Sequence, residues 1–233
     1  MKTMLSLYLW SVGVIFFLMV FCILTVSLMF MSRPATFHLA RRLFSVLIRI
    51  MGIRLKVEGV EHLDPDRTYL LMGNHESLFD LFVIPAAIPL TFTGVEAARH
   101  FRIPIWGYLI RKWGCIPIER GNPEQARKSL ALAKQILDSG LSIAILPEGH
   151  RTRTGKLEPF KKGPFHLAKA AQAPLVPFGI SGLYEFQQKG GFMITPGEVR
   201  VRIGCPIPFK EYAHLSVDEL KDRMFLQIQG LAA

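Results

Sequence analysis

The sequence predicts an α/β fold, in which helices flank both faces of a largely parallel sheet, preceded by a membrane-embedded segment. Short apolar runs that suit strands alternate along the chain with longer segments that suit helices, as in parallel sheets. The segment 5–31 is almost wholly apolar, which sets it apart from the rest. We expect residues 1–52 to form a membrane-associated part and residues 53–233 the α/β domain.

The N-terminal apolar segment is long enough for a membrane helix. No charged residue lies between Lys2 and Arg33, and the apolar run exceeds the roughly 20 residues that cross a bilayer. It is also longer than the apolar core of a cleaved signal peptide, which is the alternative. More basic residues follow the segment than precede it, so the positive-inside rule predicts that the α/β domain faces the cytoplasm, at the inner membrane. Full and partial insertion both remain open.

Residues 35–51 predict a second helix with a basic stripe. A wide apolar face beside a cationic stripe is typical of an amphipathic helix at the surface of an anionic membrane. A helix packed on the α/β domain is the alternative. The stripe consists of His38, Arg41, Arg42, Ser45 and Arg49, and the apolar residues are Phe37, Leu39, Leu43, Phe44, Val46, Leu47 and Ile50.

The first half of the α/β domain combines strands and helices. Residues 53–57 alternate apolar with basic side chains, as a half-buried strand does. Residues 69–72 are apolar and end at Gly73, which indicates a buried strand. An apolar helix follows, and later two short strands lie on either side of a helix that begins after a proline. These later elements are predicted at residues 78–87, 92–95, 105–113 and 115–118.

The second half of the domain begins with a well-marked helix. Asn122 suits its N-cap, Pro123 its first position and Gln125 its third, and Gly140 is typical of a residue that follows a helix end. Ser216 is the expected N-cap of the last helix, at residues 216–229, with Glu219 placed to complete a capping box. Between these helices, strands are predicted at residues 141–146, 175–180 and 199–203 and a helix at residues 160–171.

The segment 74–80, Asn-His-Glu-Ser-Leu-Phe-Asp, follows a predicted strand and leads into a predicted helix. If His75 lies in the turn, Asp80 can reach it, which would pair a general base with a carboxylate that orients it. The alternative is a capping box, in which Ser77 is the N-cap and Asp80 has only a structural role. In parallel sheets, sites collect at the carboxyl ends of strands, and polar clusters at residues 119–121 and 147–151 are expected at the same edge.

The loop after the strand at residues 141–146 is suited to a phosphate. Gly149 allows close approach of the backbone to a ligand, and Arg151 can bind two phosphate oxygens at once. A solvated basic loop is the alternative. The net charge of +10 also favours an anionic partner: nucleic acid, a phospholipid surface or a phosphorylated substrate. The basic residues of the loop are Arg151, Arg153, Lys156, Lys161 and Lys162.

Several other kinds of chemistry find no support in the sequence. The three cysteines are far apart and form no C-x-x-C pair, so we expect reduced thiols. The sequence shows no metal-binding motif and no activated serine or cysteine nucleophile. A histidine-aspartate pair without a nucleophile of its own would activate the hydroxyl of a substrate. The N-terminal apolar segment, which we expect in lipid, and the lack of an obvious basic recognition helix argue against nucleic acid as the partner.

Four motifs follow one another in the domain: the segment 74–80, Ile-Pro-Ile-Glu-Arg at 116–120, Leu-Pro-Glu-Gly-His-Arg-Thr at 146–152 and Leu-Val-Pro-Phe at 175–178. In order and spacing they resemble the motifs of the glycerolipid acyltransferases that include 1-acylglycerol-3-phosphate acyltransferase. The resemblance extends from about residue 53 to residue 208. Glu119, His150 and Thr152 stand where that family more often has aspartate, threonine and serine.

The resemblance implies transfer of a fatty acyl group from acyl-CoA or acyl-carrier protein to a lysophospholipid at a phospholipid membrane, with no cofactor and no nucleic acid. The expected acceptor is the sn-2 hydroxyl of 1-acylglycerol-3-phosphate, which gives phosphatidate. Another lysolipid acceptor, or a membrane-bound lipid hydrolase that uses the same pair, is the alternative. The implied site comprises His75 as general base, Asp80 as its orienter, Arg120 and Arg151 as phosphate ligands, and Glu148 with Gly149, which shape the phosphate site by orienting an arginine or a substrate hydroxyl.

Overall fold

The computed structural model describes residues 2–119 and 123–233 and contains a sheet of seven strands within them. The strands are β1 (Ile53–Glu58), β2 (Leu70–Gly73), β3 (Phe92–Ala97), β4 (Ile116–Ile118), β5 (Ser142–Ile145), β6 (Leu175–Ser181) and β7 (Gly197–Ile203). The helices are α1 (Lys2–Phe30), α2 (Arg33–Ile50), α3 (Asp80–Ala87), α4 (Trp106–Trp113), α5 (Pro123–Asp138), α6 (Gly163–Ala171), α7 (Leu183–Phe186) and α8 (Val217–Ala232). Short 3-10 helices lie at Val60–His62, Ala98–Arg102 and Phe209–Glu211.

The strands are arranged in the order β1-β7-β6-β2-β5-β3-β4. The five strands from β6 to β4 are mutually parallel, whereas β7 runs antiparallel to β6, and β1 pairs parallel to β7. The predicted largely parallel sheet is confirmed, with the β1–β7 pair reversed relative to the rest. Side chains of β7 alternate between buried and partly exposed, a pattern typical of strands with one solvated face, while β2 is buried throughout.

Two apolar cores cover the two faces of the sheet. Helices α1, α2 and α3 contribute to one core, and α5, α6 and α8 contribute to the other. Side chains of β2 alternate between them, since Leu71 belongs to the first core and Leu70 and Met72 to the second. This burial on both faces explains why residues 69–72 form a continuous apolar run.

Most predicted elements lie within one or two residues of the observed ones, and the differences have local reasons. Helix α6 begins at Gly163 rather than residue 160, with Pro164 in its first turn, while Phe160 is buried in the second core. The expected capping box of α8, with Ser216 and Glu219, is present. The expected N-cap Asn122 lies outside the described residues. Helix α7, which begins after Gly182, was not predicted.

Helix α1 is long and apolar enough to cross a membrane. One side of the helix packs on the α/β domain. The ring of Trp10 lies 6.0 Å from that of Phe79, and the ring of Phe17 lies 5.8 Å from that of Phe82. The opposite side of the helix is apolar and exposed, including Tyr8 and Ile15. The buried stripe recurs at helical spacing: Ser6, Leu9, Gly13, Val20, Leu24 and Ser27.

Helix α2 packs more of its apolar residues on protein than the prediction of an interfacial helix implies. Phe37, Phe44 and Leu47, which were assigned to a lipid-facing side, are buried in the first core, and α2 packs on α1 and α3. For these three residues the structure shows packing on protein, and contact of the rest of α2 with a membrane surface stays a prediction. Its surface keeps the exposed side chains of Val46 and Ile50 beside the basic residues. A basic stripe alone could not distinguish the two cases, because a core helix shows the same amphipathic pattern.

Candidate active site

His75 and Asp80 meet as their spacing predicted. His75 lies in the turn after β2, and Asp80 is the first residue of α3. The His75 Nδ1 atom is 2.5 Å from Asp80 Oδ2, and the side chain of His75 is 25% exposed while that of Asp80 is 3% exposed. An imidazole that donates from Nδ1 to a buried carboxylate presents Nε2 as the atom that can accept a proton.

Asp80 also organises the turn that carries His75. Its Oδ2 accepts hydrogen bonds from the amides of Glu76 at 3.0 Å and Ser77 at 3.2 Å. Burial raises the pKa of the Asp80 carboxyl, and the bonds from His75 and the two amides lower it in part. The other oxygen, Oδ1, is buried and has no hydrogen-bond partner within residues 2–119 and 123–233, so a proton placed there would lie without an acceptor.

Only half of the alternative capping box is present. Asp80 accepts the Ser77 amide, but the hydroxyl of Ser77 caps no helix and donates instead to the carbonyl oxygen of Gln187 at 2.9 Å. The N-cap residue of α3 is Phe79, which has no side-chain oxygen. Asp80 therefore supports the turn and holds the imidazole, while Ser77 connects the turn to a distant loop.

Glu148 is a clamp between two main-chain segments. Its Oε1 accepts the amide of His75 at 2.6 Å, and its Oε2 accepts the amide of Glu158 at 2.7 Å. These two bonds to main-chain amides are not visible in the sequence; the predicted role of Glu148, orienting an arginine or a substrate hydroxyl, stays a prediction. Burial raises the pKa of Glu148 to about 7. The next residue, Gly149, has φ of 71°, a conformation that glycine adopts at little cost.

Two further polar residues of the motif are buried, and their role was not predicted. Asn74 exchanges two hydrogen bonds with the main chain of Ile180, at 2.7 and 2.8 Å, which ties the turn to β6. Glu76 Oε2 accepts the amides of Leu183 at 2.8 Å and Tyr184 at 3.0 Å. Burial raises the pKa of Glu76 to about 8. Polar residues on both sides of His75 were visible in the sequence, but their partners lie more than 100 positions away.

The basic loop after β5 lies against the His75 turn. The amide of Thr152 donates to the carbonyl oxygen of His75 at 2.8 Å, which brings Arg151, half-buried, next to the turn. Lys156 lines a cavity of about 500 Å³ together with His75 and Glu148. The sequence indicated Lys156 only as one of five basic residues. The predicted phosphate ligand Arg120 lies outside the described residues, and no cluster of three or more His, Cys, Asp or Glu placed to share a metal occurs among the described ones.

The family model described as Acyltransferase matches residues 54–181, more than half of the chain and the stretch that carries this site. The chain belongs to the acyltransferase family. The match begins within β1 and ends with β6, so it includes His75, Asp80, Glu148 and Arg151. Helices α1 and α2 of this acyltransferase precede the matched region.

The curated proteins that resemble this acyltransferase include several named 1-acyl-sn-glycerol-3-phosphate acyltransferase. It is 33% identical over 178 residues to 1-acyl-sn-glycerol-3-phosphate acyltransferase of Limnanthes douglasii, covering 76% of this chain and 62% of that protein. It is 30% identical over 176 residues to the human 1-acyl-sn-glycerol-3-phosphate acyltransferase alpha, covering 75% of this chain and 62% of that protein. The matched stretch thus spans about three-fifths of the length of these relatives.

The fold of this acyltransferase also has a solved counterpart. The crystal structure of the 1-acyl-sn-glycerophosphate (LPA) acyltransferase PlsC from Thermotoga maritima superposes with a TM-score of 0.83 at 23% sequence identity. The superposition covers 98% of this chain and 94% of that one. The likeness therefore includes the N-terminal helices as well as the α/β domain.

Proposed function

We propose that this acyltransferase transfers a fatty acyl group from an acyl thioester to the sn-2 hydroxyl of 1-acylglycerol-3-phosphate, which gives phosphatidate. The observation that carries the proposal is the hydrogen bond between His75 Nδ1 and Asp80 Oδ2. It lies in a turn that further hydrogen bonds join to Glu148, to β6, to the start of α7 and to the loop after β5. The names of the relatives support the choice of acceptor.

In the proposed reaction, His75 Nε2 takes the proton of the acceptor hydroxyl as its oxygen attacks the thioester carbonyl carbon. The new carbon–oxygen bond forms, the carbon–sulfur bond breaks, and the imidazolium returns its proton to the leaving thiolate. Asp80 holds the tautomer that leaves Nε2 free and stabilises the imidazolium, as the acid does in a hydrolytic triad. No acyl-enzyme and no cofactor enters this scheme.

The phosphate of the acceptor is proposed to bind beside the turn. Arg151 and Lys156 supply positive charge next to His75, and the cavity that Lys156 and His75 share has a volume in the range of small-ligand sites. Arg120, which lies outside the described residues, is proposed as a further ligand from the sequence motif alone. Glu148 and Gly149 shape this region by fixing the His75 turn rather than by binding substrate.

The proposed location is the cytoplasmic side of the inner membrane. The exposed apolar side of α1 and the excess of basic residues after it support binding to a phospholipid surface. A membrane-bound enzyme would meet a lysolipid acceptor in the bilayer and a water-soluble acyl thioester from solution.

Acyl transfer by the full chain in detergent, with several lysophospholipids against both acyl-CoA and acyl-carrier protein, tests the proposal. We expect His75→Ala to lower turnover by about 10²- to 10⁴-fold, the usual contribution of a general base. His38→Ala, which changes an exposed histidine of α2, is the matched control and should leave turnover unchanged. Near-normal transfer by His75→Ala would overturn the mechanism.

The same assay separates the proposal from a lipid hydrolase. A hydrolase would direct the base at water, and it would release fatty acid rapidly when the thioester is supplied without an acceptor. We expect slow release without a lysophospholipid and fast phosphatidate formation with 1-acylglycerol-3-phosphate. Preference for a different lysolipid would keep the chemistry and change the acceptor.

A further inference from the structure

The loop at residues 187–194, between α7 and β7, exposes two large apolar side chains. Phe192 is 46% exposed and Met193 is 41% exposed. Isolated apolar residues on a surface need no explanation, but these two are adjacent and lie next to other exposed apolar side chains. No acidic residue occurs in the loop, and Lys189 gives it positive charge.

Two polar side chains of the first turns of α1, Ser6 and Trp10, bind the loop by hydrogen bonds. The Ser6 hydroxyl accepts the amide of Ile194 at 2.9 Å, and the indole Nε1 of Trp10 donates to the carbonyl oxygen of Phe192 at 2.7 Å. These contacts account for a buried serine and a tryptophan in an apolar helix. They also make the apolar tip of the loop continuous with the exposed apolar residues of the same turns, which are Met4, Leu5, Leu7 and Tyr8.

The first residue of the loop is hydrogen-bonded to the His75 turn. Gln187 is buried, and its side-chain amide donates to the carbonyl oxygens of Gln188 at 2.6 Å and Gly191 at 2.8 Å, which shapes the loop from within. The Ser77 hydroxyl donates to the main-chain oxygen of Gln187 at 2.9 Å, two residues from His75. Lys189 Nζ donates to the carbonyl oxygen of Arg151 at 3.4 Å.

We propose that residues 187–194 form a membrane-docking loop, which inserts Phe192 and Met193 into the surface of a phospholipid bilayer beside α1 and thereby holds the His75 turn in its working position. Apolar side chains flanked by a cation are the combination that binds an anionic lipid surface. The inference rests on the proposed membrane association of α1. It adds a second contact with the membrane, through a loop that is hydrogen-bonded to Ser77.

Site-specific labelling measures the insertion. Phe192→Cys carries an environment-sensitive dye in a background in which the exposed Cys22 and Cys205 are replaced by alanine. Cys115 can stay, because burial raises the pKa of its thiol to about 11 and keeps it unreactive at neutral pH. Vesicles of phosphatidylglycerol and phosphatidylcholine with nitroxide-labelled acyl chains then quench any dye that enters the bilayer.

Two further labelled positions make the outcome unambiguous. Ile15→Cys reports on the exposed side of α1. Leu226→Cys reports on a residue that is 67% exposed in α8, which packs on the opposite face of the sheet from α1. We expect strong quenching at residues 15 and 192 and at most weak quenching at residue 226. Quenching at 15 but not at 192 overturns the docking loop alone, and quenching at neither overturns membrane binding by α1 as well.

Acyl transfer tests the connection to the His75 turn. Exchange of both tip residues, Phe192→Ser with Met193→Ser, should lower turnover several-fold on vesicle-borne acceptor and leave it unchanged on a short-chain acceptor dispersed as monomers. Leu226→Ser, the matched control, should change neither. An equal loss on both acceptors would mean that the tip residues only support the fold, and no loss on vesicles would mean that docking does not affect the turn; either result overturns the connection.

Discussion

Two buried glutamates next to His75 should differ in how much activity they lose on replacement by glutamine. Glu148 uses each carboxylate oxygen for one amide, that of His75 at 2.6 Å and that of Glu158 at 2.7 Å. Glutamine has one accepting oxygen, so Glu148→Gln must set an NH₂ group against one of these amides. A buried donor left without an acceptor costs about 1–3 kcal/mol.

The expected loss of activity follows from that cost. If the whole cost destabilises the transition state by displacing His75, kcat/KM should drop by roughly 5- to 150-fold, since 1.4 kcal/mol is about tenfold in rate. If the cost instead lowers the stability of the folded protein, the midpoint of thermal unfolding should decrease. Steady-state acyl transfer and a thermal melt on the same preparation separate the two contributions.

Glu76→Gln is the matched control. Glu76 accepts both of its main-chain amides, those of Leu183 and Tyr184, on the single oxygen Oε2. Glutamine can keep both bonds and loses only the long contact with Asn74 Nδ2 at 3.4 Å. We expect its activity within about threefold of the parent, which corresponds to a change of about 0.65 kcal/mol. If Glu148→Gln were as active as Glu76→Gln and equally stable, the clamp that we assign to Glu148 would be wrong.

Three other predictions concern stability. Burial raises the pKa of Glu76 from 4.5 to about 8, so the stability that its protonated form contributes is full below pH 4.5 and is lost as pH rises through 8. Urea titrations should show this decline, and Glu76→Gln should reduce it to the part that comes from Glu148, whose pKa burial raises to about 7. Ser77→Ala removes the bond to Gln187 and should lower the unfolding free energy by about 0.5–1.5 kcal/mol, while an unchanged urea midpoint would contradict that bond. Gly179→Ala would bring a Cβ to 2.2 Å from the main chain of Leu231 in α8, and calorimetry should show a loss of about 1–3 kcal/mol; a melt identical to the parent's would mean that α8 is not so closely packed on β6.

The order of strands and helices could be read from local patterns. Apolar runs, Gly73 and the Ser216 capping box are local signals, and each gave an element within a few residues of its observed bounds. The meeting of His75 and Asp80 was also predictable, because both lie in one strand-turn-helix segment and only a short turn separates them.

The sequence by itself thus determined the elements, the His75–Asp80 pair and the apolar character of α1. The tertiary structure decided which distant groups complete the turn: Glu148 on the His75 amide, the α7 amides on Glu76, and Gln187 on Ser77. It also decided that Phe37, Phe44 and Leu47 of α2 pack on protein and that β7 runs opposite to β6. The physical reason is that side-chain periodicity specifies which face of an element is buried, whereas the partner of that face, or of a buried carboxylate, depends on how strands far apart in the chain are ordered in the sheet.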